Sequence, residues 1–493
     1  MNESARGHRQ LYWTTYSRAR FGWWCRRDRL VSGMRIQGLF LLSVALASAG
    51  PLEDTLVTGR KALGNDGVAT AWRIAQKALG DAPDSAAVHE FAGEVAFRRG
   101  DFARADAEFK NAVELNRGIA QAWWGLGRVA ECAAMNRTAA EDYKRAYELD
   151  PKDPKILASW ISRLQGRERE RALEVYMAKV GATVEATELR QRMELVKALD
   201  GRQAMMLATP YRAYELPLLG FENGATHVRT YGVEVLVNGS PVKLVLDTGA
   251  AGIVISSAAA QRAGLLRLSD TTVRGIGDDS KVPGGYRALA DHFRIGDLEY
   301  RNAVINVAEQ NLAGVEDGLI GSNMFSEFLI TIDFGAGKLR LAPLPDYQAG
   351  EELQDRVEIA QMRDAARVFR FGHILLVPAR VNSHDGLFVL DTGAARTLMS
   401  YDLAAAASKL DRDDRTTLRG LSGAVSNVYQ TGTVLLEFAG FSQTNLAMTA
   451  MDTWQLSHRL GTEISGFLGL PVLDLFTLTI DYRDGLVKFE RRP

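Results

Sequence analysis

Between Leu52 and about Leu199, apolar residues recur three or four positions apart among Ala, Leu, Glu and Arg, the spacing of amphipathic helices packed on a shared core. Near Ala208 the period changes. Pro210, Pro217, Gly220 and Gly224 punctuate a linker. Beyond it, short β-branched runs such as TYGVEVLVNG (230–239) and VKLVLDTG (242–249) alternate or run apolar over strand-like lengths, bounded by Gly, Asn and Asp. This character persists to the end, except for 351–367, which reads as helical. Six acidic residues between Asp346 and Asp364 make that stretch a solvated connector. The pattern predicts a helical region at 50–200, a linker at 201–224, a β region at 225–345, a connector at 346–367 and a second β region at 368–493. A length of 493 residues suits about three domains.

The helical region repeats itself. Aligning 86–119 with 120–153, a period of 34 residues, puts Gly93 on Gly127, Ala105 on Ala139, Phe109 on Tyr143 and Ala112 on Ala146. The second copy adds Trp123, Leu126 and Pro151. A degenerate earlier copy carries Ala71, Ala75, Ala78 and Pro83, and a helix near 156–164 is expected to cap the stack. This arrangement resembles the tetratricopeptide repeat, in which small residues let two antiparallel helices pack closely and at least three units bury a continuous core. The resemblance implies a surface for a protein partner and no chemistry of its own.

The β region also repeats. Val245-Leu246-Asp247-Thr248-Gly249-Ala250-Ala251 recurs as Val389-Leu390-Asp391-Thr392-Gly393-Ala394-Ala395, 144 residues later. Val273-Arg274-Gly275-Ile276 recurs as Leu418-Arg419-Gly420-Leu421 at an offset of 145. Leu319-Ile320-Gly321 recurs as Phe467-Leu468-Gly469, and Thr331-Ile332-Asp333-Phe334 as Thr479-Ile480-Asp481-Tyr482, both at 148. Four landmarks in the same order at an almost constant offset describe two like lobes.

These motifs resemble the retropepsin-like and pepsin-like aspartic proteases: apolar-apolar-Asp-Thr-Gly-Ala/Ser, a glycine-bearing flap hairpin, then apolar-apolar-Gly beside the catalytic loop. The resemblance covers about 225–345 and 368–493. It implies an all-β bilobal aspartic protease with two retropepsin-like β-barrel lobes behind the all-α repeat, joined as a pseudo-dimer within one chain. It assigns catalysis to Asp247 and Asp391. Thr248 and Thr392 would bond the opposite loop, and Gly249 and Gly393 would allow its close approach. Gly275, Ile276 and Gly277 in the first lobe, and Gly420, Leu421 and Ser422 in the second, are the flap candidates. Ala250 and Ala394 follow the retropepsin form, which implies a working pH that is weakly acidic to neutral. Asp333 and Asp481, in strand-turn contexts, read as structural.

Two carboxyls sharing one proton can make water nucleophilic and a carbonyl electrophilic without a metal or cofactor. Peptide or protein substrates follow, and residues 205–493 alone are expected to form an active monomer. The alternative is an inactive peptide-binding scaffold. Other chemistries lack their motifs: the seven histidines are scattered without HExxH, and there is neither a GxSxG elbow nor a GxxxxGK loop. Two cysteines, Cys25 and Cys132, provide no disulfide framework or cysteine zinc site.

Charge is balanced at a formal −1, which gives no general attraction to nucleic acid. It is unevenly spread. Residues 1–36 hold eight arginines against Glu3 and Asp28, a local +6. The uncharged run GLFLLSVALASAG (38–50) follows, ending in small residues at Ala45, Ala47 and Ala49. Residues 1–49 therefore read as a basic leader with a secretory signal, with Met34 an alternative start. The expected location is outside the cytoplasm, periplasmic or secreted, with membrane attachment only through an uncleaved leader.

Overall fold

The computed structural model describes residues 13–15 and 49–492, apart from 165, 181–183, 223–228, 274, 277–283, 310–311, 313–316, 347–354, 358, 414–415, 417, 421–422 and 446. The apolar run 38–48 and the signal it suggests lie outside the described residues. Among those described, no helix is long and apolar enough to cross a membrane.

Three helix pairs form the repeat: Ala49–Gly64 with Val68–Asp81, Ala86–Arg98 with Phe102–Leu115, and Ala120–Cys132 with Asn136–Leu149. Helices Pro154–Ile161, Gly166–Val180 and Val184–Leu199 extend the stack. The period has a packing cause. A Cβ on Gly93 would lie 2.7 Å from the Phe109 ring, and one on Gly127 would lie 2.6 Å from the Tyr143 ring. Each ring thus sits directly on the partner helix's backbone. In the first pair Ala75 stands where Phe109 would be, and Phe91 of the next pair covers Gly59 instead.

The turns inside the three pairs are equivalent too. Asp66, Gly100 and Ala134, spaced by 34, all adopt left-handed φ, at 57°, 75° and 58°. After each, a backbone N–H returns to the helix before it: Gly67 to Ala62, Asp101 to Ala96 and Met135 to Ala130. This closes the helix C-terminus with a left-handed residue.

Each β lobe is a curled sheet. In the first, neighbouring strands run Met206–Leu207, Leu298–Ala308, Ile253–Ser256, Gly318–Gly321, Ser240–Asp247, Arg229–Val237, Gly284–Ile295 and Leu266–Thr272. In the second, Ile374–Val381, His384–Leu390, Gly466–Leu468, Leu398–Ser400 and Thr449–Met451 repeat the central arrangement. A third sheet joins the lobes in the order Ala366–Arg367, Leu486–Arg491, Phe476–Asp481, Phe328–Asp333, Lys338–Pro343 and Tyr214–Pro217. Its middle strands are antiparallel, with Thr331 opposite Thr479 and their hydroxyls 3.2 Å apart. Thr331 and Thr479 are the equivalent residues of the two lobes, so the sheet pairs like with like where the lobes join. Asp333 and Asp481 take turn positions here: Asp333 Oδ1 accepts the Ala336 N–H and Asp481 Oδ1 accepts the Asp484 N–H.

Two expectations change. The 201–224 stretch, expected as a linker, carries strands Met206–Leu207, Tyr214–Pro217 and Leu219–Glu222, each paired into a sheet. Pro217 ends an edge strand and Pro210 lies outside the strands, so neither missing N–H costs much. In the connector, the described residues form a 3-10 turn at Ala360–Met362 and a strand at Ala366–Arg367, with Ile359 and Met362 buried. Asp355 is not simply solvated either: its carboxylate accepts the N–H groups of Arg137 and Thr138 and the Thr138 hydroxyl, capping helix Asn136–Leu149.

The repeat also docks on the second lobe along its row of turns. Asp66 meets His458 at 3.2 Å. Beside Gly100, the Phe97 carbonyl accepts the Thr462 hydroxyl and the Arg98 carbonyl accepts the Glu463 N–H. Beside Ala134, the Arg370 guanidinium donates to Asn136 Oδ1 at 3.1 Å. Between these polar contacts Phe97 and Phe102 pack against Phe369 and Phe371, the closest rings 4.4 Å apart between Phe102 and Phe369. The outward faces of Ile374–Val381 and His384–Leu390 thereby join one apolar cluster with the repeat helices.

Candidate active site

The two catalytic-type loops are positioned in the same way. Strand Ser240–Asp247 runs parallel to Gly318–Gly321, with Asp247 opposite Gly321, and His384–Leu390 runs parallel to Gly466–Leu468, with Leu390 opposite Leu468. A run apolar on both faces fixes each strand between neighbours and delivers its Asp-Thr-Gly at the carboxyl end.

The loops then meet each other. The Thr248 hydroxyl donates to the Leu390 carbonyl at 2.6 Å and accepts the Thr392 N–H at 3.0 Å. The Thr392 hydroxyl donates to the Leu246 carbonyl at 2.7 Å and accepts the Thr248 N–H at 3.1 Å. Both threonines are buried. Four reciprocal bonds at once satisfy groups that would otherwise be stranded away from water. Thr392→Val removes two of them and leaves a buried carbonyl and N–H unpaired. At ~1–3 kcal/mol for each orphan, we expect a loss of about 2–6 kcal/mol in denaturant unfolding. A loss below about 0.5 kcal/mol would mean that the crossing does not hold the lobes together.

Asp247 and Asp391 are brought together by this crossing. A Cβ on Gly249 would stand 3.1 Å from the Asp391 carboxyl, and one on Gly393 would stand 2.5 Å from Asp247 Cγ. Each loop's glycine thus faces the other loop's carboxyl; a Cβ would overlap it at Gly393 and crowd it at Gly249. Asp247 Oδ1 accepts the Gly249 N–H and Asp391 Oδ1 accepts the Ala394 N–H, both at 2.8 Å. Burial pushes the Asp247 carboxyl above the usual carboxylate range, outweighing the bond from Gly249. Asp391 is pushed well above that range, by burial first and then by the neighbouring Asp247 charge. Ala250 and Ala394 offer no hydroxyl that would favour ionisation.

Of the flap candidates, Gly275, Ile276 and Gly420 are described, while Gly277, Leu421 and Ser422 lie outside the described residues. In the second lobe Leu418–Gly420 pairs with Gly423–Val425 as a hairpin. The Ile276 carbonyl oxygen lies 2.2 Å from where a Gly420 Cβ would be, so Ile276 of the first lobe touches this strand pair of the second. Ile276, Leu418 and Val425 pack on the same apolar cluster as the repeat helices. Among the described residues no group of His, Cys, Asp and Glu has a metal-binding arrangement.

Two lobes of one pattern, an interlobe sheet and crossed Asp-Thr-Gly loops define the class: a bilobal aspartic protease fold. The match to a family agrees. The aspartyl protease family matches residues 233–324 and 377–472, one stretch in each lobe. The chain thus joins tetratricopeptide-type repeats to a two-lobed aspartyl protease fold. Among solved structures, it is similar to the aspartic proteinase of Irpex lacteus at 12% identity and a TM-score of 0.37, over 57% of this chain and 97% of that one. The repeat region is similar to the first repeat domain of Spaghetti (RPAP3), solved with an HSP90 peptide, at 22% identity and a TM-score of 0.21, over 25% of this chain and 93% of that one. It is also similar to a mutant O-GlcNAc transferase of Thermobaculum terrenum at 20% identity and a TM-score of 0.25, and the match spans only 27% of either chain. None of the curated proteins matches.

Sequence reading missed several residues at this site. Ser322 is buried, with its hydroxyl 2.7 Å from that of buried Tyr482, and the Tyr482 hydroxyl donates to the His373 carbonyl at 3.4 Å. The signal was present: Ser322 aligns with Leu470 and Tyr482 with Phe334, two places where the lobes differ in polarity.

Proposed function

We propose that the chain is an aspartic endopeptidase in which the Asp247/Asp391 dyad hydrolyses peptide bonds. The observation that carries this reading is the pair of carboxyls facing one another across crossed loops, each raised in pKa by burial. Two carboxyls that close cannot both ionise and hold one proton between them. Asp391, the more strongly raised, keeps the proton and donates a hydrogen bond to the scissile carbonyl oxygen. Asp247 is ionised and takes a proton from the water that attacks the carbonyl carbon. A tetrahedral gem-diol forms. The proton gained by Asp247 passes to the leaving nitrogen as the C–N bond breaks, while Asp391 recovers its own proton from the diol hydroxyl. The products are a carboxylic acid and an amine, and the dyad is restored. Ile276 of the first lobe and the paired strands Leu418–Gly420 and Gly423–Val425 of the second, which touch, lie over the substrate. The repeat binds substrate or a protein partner. The chain acts after export, with a mature start near Ala47 or Ala49, at the beginning of the first repeat helix.

The test is hydrolysis of a denatured generic protein, with products mapped by mass spectrometry and suppression by a transition-state-mimicking aspartic protease inhibitor. Intact substrate would overturn the reading in favour of a peptide-binding scaffold.

The pH dependence follows from the same groups. Activity needs one proton on the pair, so it falls on the acid side as Asp247 protonates and on the basic side as Asp391 ionises. Both are raised, so the whole bell moves up from strong acid to weakly acidic or neutral pH. Ala250→Ser with Ala394→Ser adds donors to the ionised forms and is expected to shift the bell toward acid. A wild-type optimum in strong acid, read from a kcat/KM profile, would remove this account.

A further inference from the structure

The two halves of the dyad are built alike, yet the supports behind them are not. On the Asp247 side the support is residues 321–323. Gly321 lies opposite Asp247 in the parallel ladder, and its N–H donates to the Gly252 carbonyl at 2.7 Å. The Gly252 N–H donates in turn to Asn323 Oδ1 at 2.9 Å. The loop from Asp247 to Gly252 is therefore held by the two residues that flank Ser322. The Ser322 hydroxyl stands 2.7 Å from that of Tyr482, which belongs to the second lobe. Both side chains are buried, where a hydrogen bond is stronger than in water. Burial pushes the Tyr482 phenol up to about 12, so it stays neutral at the weakly acidic to neutral pH of the reaction. Tyr482 is itself fixed. Arg370 donates from Nη1 to the Tyr482 carbonyl at 2.6 Å and from Nη2 to Asn136 Oδ1 of the repeat at 3.1 Å.

The Asp391 side is held within its own lobe. The Leu470 N–H donates to the Ala394 carbonyl at 2.9 Å, and the Gly469 N–H donates to Thr397 Oγ1 at 3.1 Å. Leu470 and Phe334 take the places of Ser322 and Tyr482 there. Both are buried, Phe334 against the Tyr231 ring at 4.9 Å between centroids, and neither side chain can make a polar link. One hydroxyl pair thus crosses between the lobes beside Asp247 and has no counterpart at the aligned positions beside Asp391. Two carboxyls that share a proton must keep a set separation and angle, although each is delivered by a different lobe. A bond from lobe to lobe next to one loop fixes that relation more closely than apolar packing does.

We infer that Tyr482 is a positioning residue for the Asp247 half of the dyad: its hydroxyl holds Ser322 of the opposite lobe, and with it the 321–323 segment that supports the Asp247–Gly252 loop. The inference rests on the aspartic endopeptidase reading.

The experiment compares the full chain with Tyr482→Phe, Ser322→Ala and the double variant, each at a temperature where circular dichroism shows it folded. In steady-state hydrolysis, each single variant is expected to lower kcat about tenfold, the effect of one lost positioning hydrogen bond, with KM within about twofold. The double variant should be no slower than about either single one, because both substitutions remove the same link. The second readout needs no turnover. Hydrogen exchange followed by mass spectrometry is expected to quicken in peptides covering 247–252 of Tyr482→Phe and to stay unchanged in those covering 391–396. Unchanged kcat in Tyr482→Phe, losses that multiply in the double variant, or equal loosening of both loops would overturn the inference. An inactive wild type would overturn the endopeptidase reading instead. One-sided loosening in that protein would still support the hold on the Asp247 loop, and its absence would still refute it.

Discussion

Asp391→Asn is expected to abolish peptide hydrolysis, lowering kcat by about 10³-fold or more, and Asp247→Asn to do the same. An asparagine can neither take the proton from water nor return it to the leaving nitrogen, and the remaining carboxyl cannot be acid and base to the same water in the same step. The fold should survive, because the lobes are held by Thr248, Thr392 and the interlobe sheet rather than by the carboxyls. Stability supplies a second measurement. A carboxyl whose folded pKa is raised stabilises the fold below its unfolded value, and that contribution is lost as pH rises through the folded value. Asp391 is raised well above the ordinary range, so the wild type forfeits stability toward neutral and basic pH. Asp391→Asn removes that loss. Its melting temperature should therefore exceed the wild type's at neutral and higher pH, by a margin that shrinks in acid. Asp247→Asn should show a smaller gain, since Asp247 is raised less. Near-normal turnover in either variant would refute a shared dyad. A gain that grows in acid would refute the assigned direction of the shifts.

The features legible in the sequence were those that recur. A 34-residue period exposed the helix pairs because each repeat solves the same packing problem, a glycine or alanine beneath a ring. The 144–148 offset exposed the two lobes because each must end a buried strand in the same Asp-Thr-Gly loop and support it with an apolar-apolar-Gly strand. Features lacking a second copy were harder to see. The short strands at 206–222 carry Pro and Gly, and they are strands only because a sheet edge lies beside them. Asp355 looked like part of an acidic connector, because the helix end it caps is more than two hundred residues away. Ser322 and Tyr482 each look ordinary alone. They matter through departures from symmetry, which become visible once the two lobes are superposed residue by residue.

Removing the repeat is expected to leave residues 205–493 aggregation-prone, contrary to the independent monomer that the sequence suggested. The reason lies at one aligned position. Lys243 in the first lobe is exposed, as an outward-facing residue of a barrel strand should be. Its counterpart 144 residues on is Leu387, only 6% exposed, beneath the turn at Gly100, where a Cβ would fall 2.6 Å from Leu387 Cδ1. Leu376, Ile374 and Val389 are buried in the same cluster with Phe97, Phe102 and Leu126. The second lobe is therefore apolar on both faces, and without the repeat a contiguous patch would meet water and invite association. Leu387→Lys should have opposite effects in the two contexts. In the fragment it returns the position to its first-lobe form and should raise soluble yield and reduce binding of a hydrophobic dye. In the full chain it forces a charge into a closed apolar interface. It should loosen docking by several kcal/mol, from lost burial of about 1.5–3 kcal/mol plus the cost of desolvating the ammonium. Faster proteolytic cutting near 200–213 would report that loosening. A fragment that is soluble and monomeric without the substitution, or a full chain indifferent to it, would show that the repeat is an independent appendage and that Leu387 is buried for another reason.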